Sequence, residues 1–391
     1  MCIAIRAELF VCGEVNDVNA YMNEVVSVGV LDELRGSANF LKNIYIDSSD
    51  ESKNFGDRVT IAAPIDLGPA KVFDPAVGSS PTPIVAQGVP IDLNIHLYQE
   101  VCMSDVQAMN HNRKGTIPQA LKAAITSVVE STNLYAISFY KGVSQHSGDL
   151  ESIAKRDKDD ILAGRAVLQK NKVLRDYRLV TGINTELALL KDFSNLSESG
   201  DQTLINEAIM GRKFGINIST DQQIEKHISG SAAQADGIVT SANPLVGVSF
   251  LRLESVPVGA TFNHGDIVKV AGGFSYSVAT NQVVTETGAI ELLINEKLIA
   301  PIVAGTAVEV VGDHNVDILM TQNAIGAATR QIETQEDSNV MTTFVTDPLT
   351  GWNFRLQRWT TPKTSQTHWR FETLFGMSLL DPKRIVRMGG H

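Results

Sequence analysis

Residues 57–96 read DRVTIAAPIDLGPAKVFDPAVGSSPTPIVAQGVPIDLNIH. The opening Asp57–Ala63 alternates, with Val59 and Ile61 on one side, and predicts a strand. Pro64, Pro69, Pro75, Pro81, Pro83 and Pro90 then follow. Each proline removes a backbone donor and fixes φ, which excludes a helix or a central strand through this stretch. Ala70–Phe73 and Ile84–Val89 flank a small polar turn at Gly78-Ser79-Ser80, and Ile91–His96 alternates again as a returning strand. The whole is a long hairpin with a soft tip.

Downstream stands the clearest helix. Thr116-Ile117-Pro118-Gln119 fits a capping box, with proline in the first turn where its missing N–H costs little. Ile117, Leu121, Ile125, Val128 and Tyr135 follow at helical spacing, and Gly142 supplies a stop after Lys141. Such a helix would be about 39 Å long at the ordinary rise per residue. Asp157–Lys172 predicts a second helix, with acids at its start and lysines at its end, matching the macrodipole. Arg178–Thr181 reads as a short buried strand, and Asn184 caps a third helix over Thr185–Lys191. Upstream, residues 1–45 show no strong period and read as an arm with one short helix near Val18–Val28.

The chain changes character at Gly230. Residues 230–317 hold nine acids (Asp236, Glu254, Asp266, Glu286, Glu291, Glu296, Glu309, Asp313, Asp317) and three bases (Arg252, Lys269, Lys297), a net of -6. The apolar period switches to two at Ile267–Val270, Tyr276–Val278 and Val308–Val310, with glycine turns between. Short strands spaced in this way indicate a small β-barrel or sandwich inserted into a host. Residues 318–391 turn basic, with eight bases against six acids. There Trp352–Thr360 and Thr367–Phe375 alternate about a Thr-Pro-Lys turn and read as an antiparallel pair, with Arg384–Met388 as a last strand.

The 391 residues carry a net charge of -11, with 43% hydrophobic and 20% charged residues. That composition excludes a disordered chain. The acidic balance argues against a protein that grips nucleic acid, which needs clustered Lys and Arg to neutralise phosphates. Cys2, Cys12 and Cys102 form no metal or redox spacing and are too few for a disulfide framework, so a reducing compartment is expected. The apolar run at the N-terminus is broken by Arg6 and Glu8, and Leu298–Val311 is interrupted by Pro301, Gly305 and Glu309. Neither a signal peptide nor a membrane span is expected.

The search for chemistry is largely negative. Gly247-Val248-Ser249 is followed by Phe250-Leu251, which breaks the nucleophile-elbow pattern. No Walker loop, GxGxxG, HExxH or calcium-loop pattern occurs, and no two histidines lie at i, i+4. Asp159 and Asp160 are adjacent on a helix and point apart, so they read as solvated capping residues. Trp352, Trp359 and Trp369 could stack on a sugar or base, but read more simply as cross-strand packing plus an interface. Arg355 and Arg358, isolated on a strand, read as ion-pair partners.

Several stretches, in this order, resemble the major capsid protein of tailed double-stranded DNA bacteriophages, a fold shared with encapsulin shells. Phe55–Ile61 resembles the entry to that family's extended loop. Leu190–Gly215, with Asp192-Phe193-Ser194 leading to Gly211-Arg212 and Phe214-Gly215, resembles an apical-domain helix and the turn after it. Asn323–Arg330 resembles the return from an insertion, and Gly351–Arg355, Arg370–Gly376 and Pro382–Arg387 resemble the C-terminal strands. The inserted β region is similar to the short-tailed-phage subgroup.

The resemblance implies an α+β fold with an N-terminal arm (1–55), an extended loop (56–104), a peripheral domain with a spine helix at 116–141 (105–175), an apical domain (176–229), an inserted β-barrel (230–317) and a return to the apical and peripheral domains (318–391). It implies self-assembly as hexamers and pentamers, a separate scaffolding protein, a portal, non-specific proximity to packaged double-stranded DNA, and no membrane. The expected place is the virion capsid, made and assembled in the host bacterial cytoplasm. No catalytic residue, cofactor or metal is implied. The assembly-interface candidates are Arg58, Lys71, Phe73 and Asp74 on the hairpin and Trp352, Arg355, Arg358, Trp359 and Trp369 on the C-terminal strands. The alternatives are a tail-tube protein, against which the long helix speaks, an encapsulin, which lacks the acidic insertion, and a carbohydrate-active enzyme, for which no carboxylate pair stands out.

Overall fold

The computed structural model describes residues 38–47, 56–62, 70, 81, 88–104, 119–151, 156–173, 176–195, 210–241, 246–285, 288–332, 340–347 and 350–390. Strand β1 (Tyr45–Asp47) follows a short 3-10 turn at Leu41–Asn43. Next come β2 (Arg58–Ala62), β3 (Gly88–Asp92), β4 (Ile95–Ser104), helix α1 (Gln119–Ile137) and β5 (His146–Ser147). Helix α2 (Lys158–Lys170), β6 (Tyr177–Thr181), helix α3 (Ile183–Asn195), β7 (Arg212–Lys213), β8 (Ile216–Thr220) and β9 (Lys226–His227) continue the chain.

The acidic region holds β10 (Val239–Thr240), β11 (Phe250–Glu254), β12 (Thr261–Phe262), β13 (Ile267–Val270), β14 (Phe274–Ser277), β15 (Gln282–Val283), β16 (Ile290–Leu293) and β17 (Val308–Val310). The chain closes with β18 (His314–Asn315), β19 (Ile318–Thr321), β20 (Ile325–Arg330), β21 (Val340–Thr346), β22 (Asn353–Thr361), β23 (Gln366–Leu379) and β24 (Ile385–Met388). The class is α+β, mostly strand.

A long sheet runs β1-β20-β23-β22-β21, and β4 lies along the other edge of β23 for ten residues, Ile95 opposite Phe375 and Ser104 opposite Gln366. Helix α1 packs across one face of this sheet. Leu121, Ile125, Val128 and Val129 join Trp352, Leu356, Trp369, Phe371 and Phe375 in one core. Full burial of each such side chain contributes about 1.5–3 kcal/mol. A second sheet, β5-β24-β19-β6-β8-β7, buries Leu179, Ile216, Leu319 and Val386 against Ile161 and Leu168 of α2.

The acidic region has a core of its own. Three small sheets, β10-β11-β16, β12-β15 and β14-β13-β17, enclose Leu251, Leu253, Phe262, Val268, Tyr276, Leu292 and Val310. The two-stranded β18-β9 ribbon, with His314 opposite His227, carries the chain into and out of it.

Several expectations need correction. The capping box at Thr116 lies outside the described residues. The α-helix ends at Ile137 and tightens into a 3-10 turn over Ser138–Gly142, so it stops short of Lys141. The third helix begins at Ile183, before Asn184, and runs on to Asn195. The returning strand is two strands. Gly88–Asp92 pairs with β2, and Leu93-Asn94 breaks the run before β4 enters the large sheet. Pro90 is tolerated inside β3 because, among the described residues, the β2-β3 sheet has two strands and leaves an edge where no donor is required. Asp160 is buried, contrary to a solvated role. It is the N3 residue of a capping box in which Asp157 accepts from its amide and Asp160 Oδ2 accepts from Asp157 N (3.0 Å), which turns it inward.

Candidate assembly surfaces

The β2-β3 hairpin is rooted by one face. Val59, Ile61 and Ile91 pack on Leu93, Ala328 and Leu380, while Arg58, Thr60 and Asp92 stay exposed. Gly56 N donates to Leu93 O (2.7 Å) and Leu93 N to Asp57 O (2.9 Å), which closes the base. Arg58 Nε donates to Asp92 Oδ1 at 2.7 Å across the pair. Both groups are in water, so salt screens the attraction and it adds little. The root passes close over β23: a Cβ on Gly376 would stand 2.2 Å from Asp92 O. Lys71, Phe73 and Asp74 lie outside the described residues.

On the C-terminal strands the candidates separate by face. Trp352 is fully buried in the core, and its Nε1 donates to Thr373 Oγ1 at 3.1 Å. Trp369 is buried beneath Arg358, whose guanidinium sits 4.8 Å from the ring centroid on the α1 side of the sheet. On the opposite face Arg355 Nε donates to Glu372 Oε1 at 2.6 Å, and Trp359 stacks on His368 with centroids 5.1 Å apart and planes 4° apart. The structure thus brings Arg358 and Trp369 together, and Arg355 and Trp359 onto one face. Trp352, Arg355 and Trp369 are taken up by this chain's own interior. Arg58 is exposed, and Arg358 and Trp359 are half-buried.

The sequence reading missed what organises that opposite face. Glu372 is fully buried there and collects Arg355, His96 Nε2 (2.7 Å) and Arg370 Nε (3.6 Å). Arg370 in turn lies 4.6 Å from the Tyr98 ring centroid, and Tyr98 is 57% exposed. Phe344 and Met341 on β21 are also exposed. The signal was the alternation Ile95, Leu97, Val101, Met103 along β4, which sets His96, Tyr98, Glu100 and Cys102 on the other side.

A buried polar junction joins the acidic module to the 3-10 turn that follows α1. Arg387 donates to Tyr140 O (3.1 and 2.7 Å) and Gly265 O (2.8 Å). Tyr140 Oη meets His227 Nδ1 at 2.9 Å, and His227 Nε2 meets Asp266 Oδ1 at 2.9 Å. Burial pulls Arg387 down to about 10, which leaves it charged near neutrality, and pulls His314 down to about 3. Burial also raises the Glu296 carboxyl, which Ser144 Oγ bonds at 2.5 Å.

A cavity of about 690 Å³ opens beside α3, lined by Ile183, Ile224, Ile228 and Val316, with Lys226 and Asp313 paired at 3.2 Å. Among the described residues no group of three or more His, Cys, Asp or Glu could hold a metal ion, and no helix is long and apolar enough to cross a membrane.

No protein-family model and no curated protein matches the chain. Among solved structures it is similar to one named for Mycobacterium phage Che8, at 12% identity and TM-score 0.44, over 85% of this chain and 84% of that one. It is similar to a capsid structure of the cyanophage P-SCSP1u, at 10% identity and TM-score 0.45, over 89% and 86%. A virus-like particle from Pyrococcus furiosus is similar at 11% identity and TM-score 0.43, over 93% and 98%. With TM-scores below 0.5, the reading of this chain rests on its own residues and geometry.

Proposed function

We propose that this chain is a major capsid protein, a structural subunit that tiles the icosahedral shell around the double-stranded DNA of a tailed bacteriophage. The β2-β3 hairpin carries the reading. A two-stranded ribbon is marginal alone in water. This one spends its single apolar face on the root, and residues 63–87 with their five prolines join its strands. Such an element gains stability by lying on a neighbour, and the prolines and exposed charges keep its edges from pairing indiscriminately.

Residues 1–55 act as the arm, 56–104 as the extended loop, 105–175 as the peripheral domain, 176–229 as the apical domain, 230–317 as an inserted β-barrel, and 318–391 as the return. Helix α1 is the strut. Copies meet as hexamers and pentamers through heterologous contacts that close by rotation. Arg58, Lys71, Phe73, Asp74, Arg358 and Trp359 are the interface residues of this reading. A separate scaffolding protein and a portal complete assembly, in the host bacterial cytoplasm. The -11 net charge suits a shell that confines DNA without gripping it. The role needs no turnover.

The test is replacement of residues 63–87 by an Asn-Gly turn, which suits a two-residue hairpin. The variant is expected to keep the circular dichroism of the parent and to yield no particles when expressed with its genomic neighbours. Particles like the parent's would refute the role given to the hairpin.

A further inference from the structure

One row of side chains crosses the long sheet on the face away from α1: Trp359 pairs with His368, and His368 pairs with Cys102. Cys102 is exposed, with its Sγ 3.9 Å from His368 Nε2. The other ring nitrogen, Nδ1, is 2.9 Å from Glu100 Oε1. Glu100 therefore accepts from Nδ1–H and leaves the Nε2 lone pair facing the thiol. The parallel stack on Trp359 fixes the ring plane. Nucleophile, base and orienting carboxylate stand in the order that activates a thiol. Arg370 and Tyr98 stand beside them on the same face.

The geometry assigns Cys102, His368 and Glu100 as a thiol-exchange site that takes low-molecular-weight disulfides. The Cys102 S–H proton passes to His368 Nε2, and the thiolate attacks one sulfur of the disulfide. The S–S bond breaks, Cys102 becomes a mixed disulfide, and the departing thiolate takes the proton back from His368. Cys102 sulfur is oxidised and the released half is reduced to a free thiol. A second thiol reverses the step. The site would let a small-molecule redox couple place or remove a group on this face of the free chain.

The experiment uses the full chain with Cys2→Ser and Cys12→Ser, oxidised glutathione as probe, and intact mass against time. One glutathione should add per chain, and none after Cys102→Ser. An unassisted thiol is only a few per cent thiolate at pH 7. His368→Gln should therefore slow addition roughly tenfold at pH 7, with the gap closing by about pH 10, where a thiol ionises without a base. Glu100→Gln should slow it less, with the same closing gap. Equal rates at pH 7, a deficit in His368→Gln that is the same at every pH, or addition persisting after Cys102→Ser would each overturn the assignment.

Discussion

The guanidinium of Arg387 lies under the ring of Tyr140, 5.0 Å from its centroid, and donates twice to the carbonyl of that same residue. Tyr140 lies in the 3-10 turn that follows α1, Arg387 sits on β24, and the second acceptor, Gly265 O, belongs to the acidic module. One buried side chain therefore ties three parts of the chain.

Replacing Arg387 with methionine keeps most of the volume, removes the side-chain donor of Gly265 O, and leaves Tyr140 O with the amide of Val143 alone (3.0 Å). A buried carbonyl without its donor costs about 1–3 kcal/mol. The expected outcome is a loss of about 1–3 kcal/mol in chemical unfolding, with the first change at the module junction in hydrogen exchange. A loss below about 1 kcal/mol would show that the tie is dispensable.

Glu372 is buried with Arg355, and cutting one partner leaves the other a buried charge with weaker compensation. Glu372→Gln should cost about 3–5 kcal/mol, while Arg355→Met with Glu372→Leu should recover most of it. Denaturant midpoints of the parent and these two variants check this. A double variant no more stable than Glu372→Gln would contradict a coupled pair.

His314 stays neutral in the fold, pulled down to about 3 by burial first, with Arg387 beside it. An unfolded histidine titrates near 6.5. The unfolded chain therefore binds the extra proton as pH falls from about 6.5 toward 3, and stability drops across that window by up to about 1.4 kcal/mol per pH unit. His146 and His264 shift the same way, whereas Glu296, raised by burial, opposes the trend near the carboxylate range. His314→Asn should flatten the fall in urea midpoint between pH 7 and pH 5. An equally steep fall in the variant would place the dependence elsewhere.

Gly376 is where the hairpin root crosses β23, and a methyl group there meets backbone at 2.2 Å. Gly376→Ala should cost about 1–3 kcal/mol and loosen the root, speeding proteolytic cleavage within residues 63–87. Unchanged cleavage and melting would mean that the root shifts without strain.

What was legible in the sequence was local. The β22-β23 pair about Thr361-Pro362-Lys363, the strands of residues 230–317 and the body of α1 follow from period and turn chemistry. What was not legible was long-range. Glu372 meets His96 across 276 residues, and no spacing rule connects them. The tryptophans show the same limit: Trp352, Trp359 and Trp369 share composition and strand context, yet one is core, one lies under an arginine, and one stacks on the far face. Strand parity could have sorted Trp359 from Trp369, while the depth of Trp352 depends on α1 and Phe375 packing over it.

The central claim is that copies of this chain close into a container. Negative-stain electron microscopy of the purified protein, expressed with its genomic neighbours, tests it most directly. Hollow polyhedral particles of uniform diameter are the expected result. A population that stays monomeric under every native-like condition would contradict it.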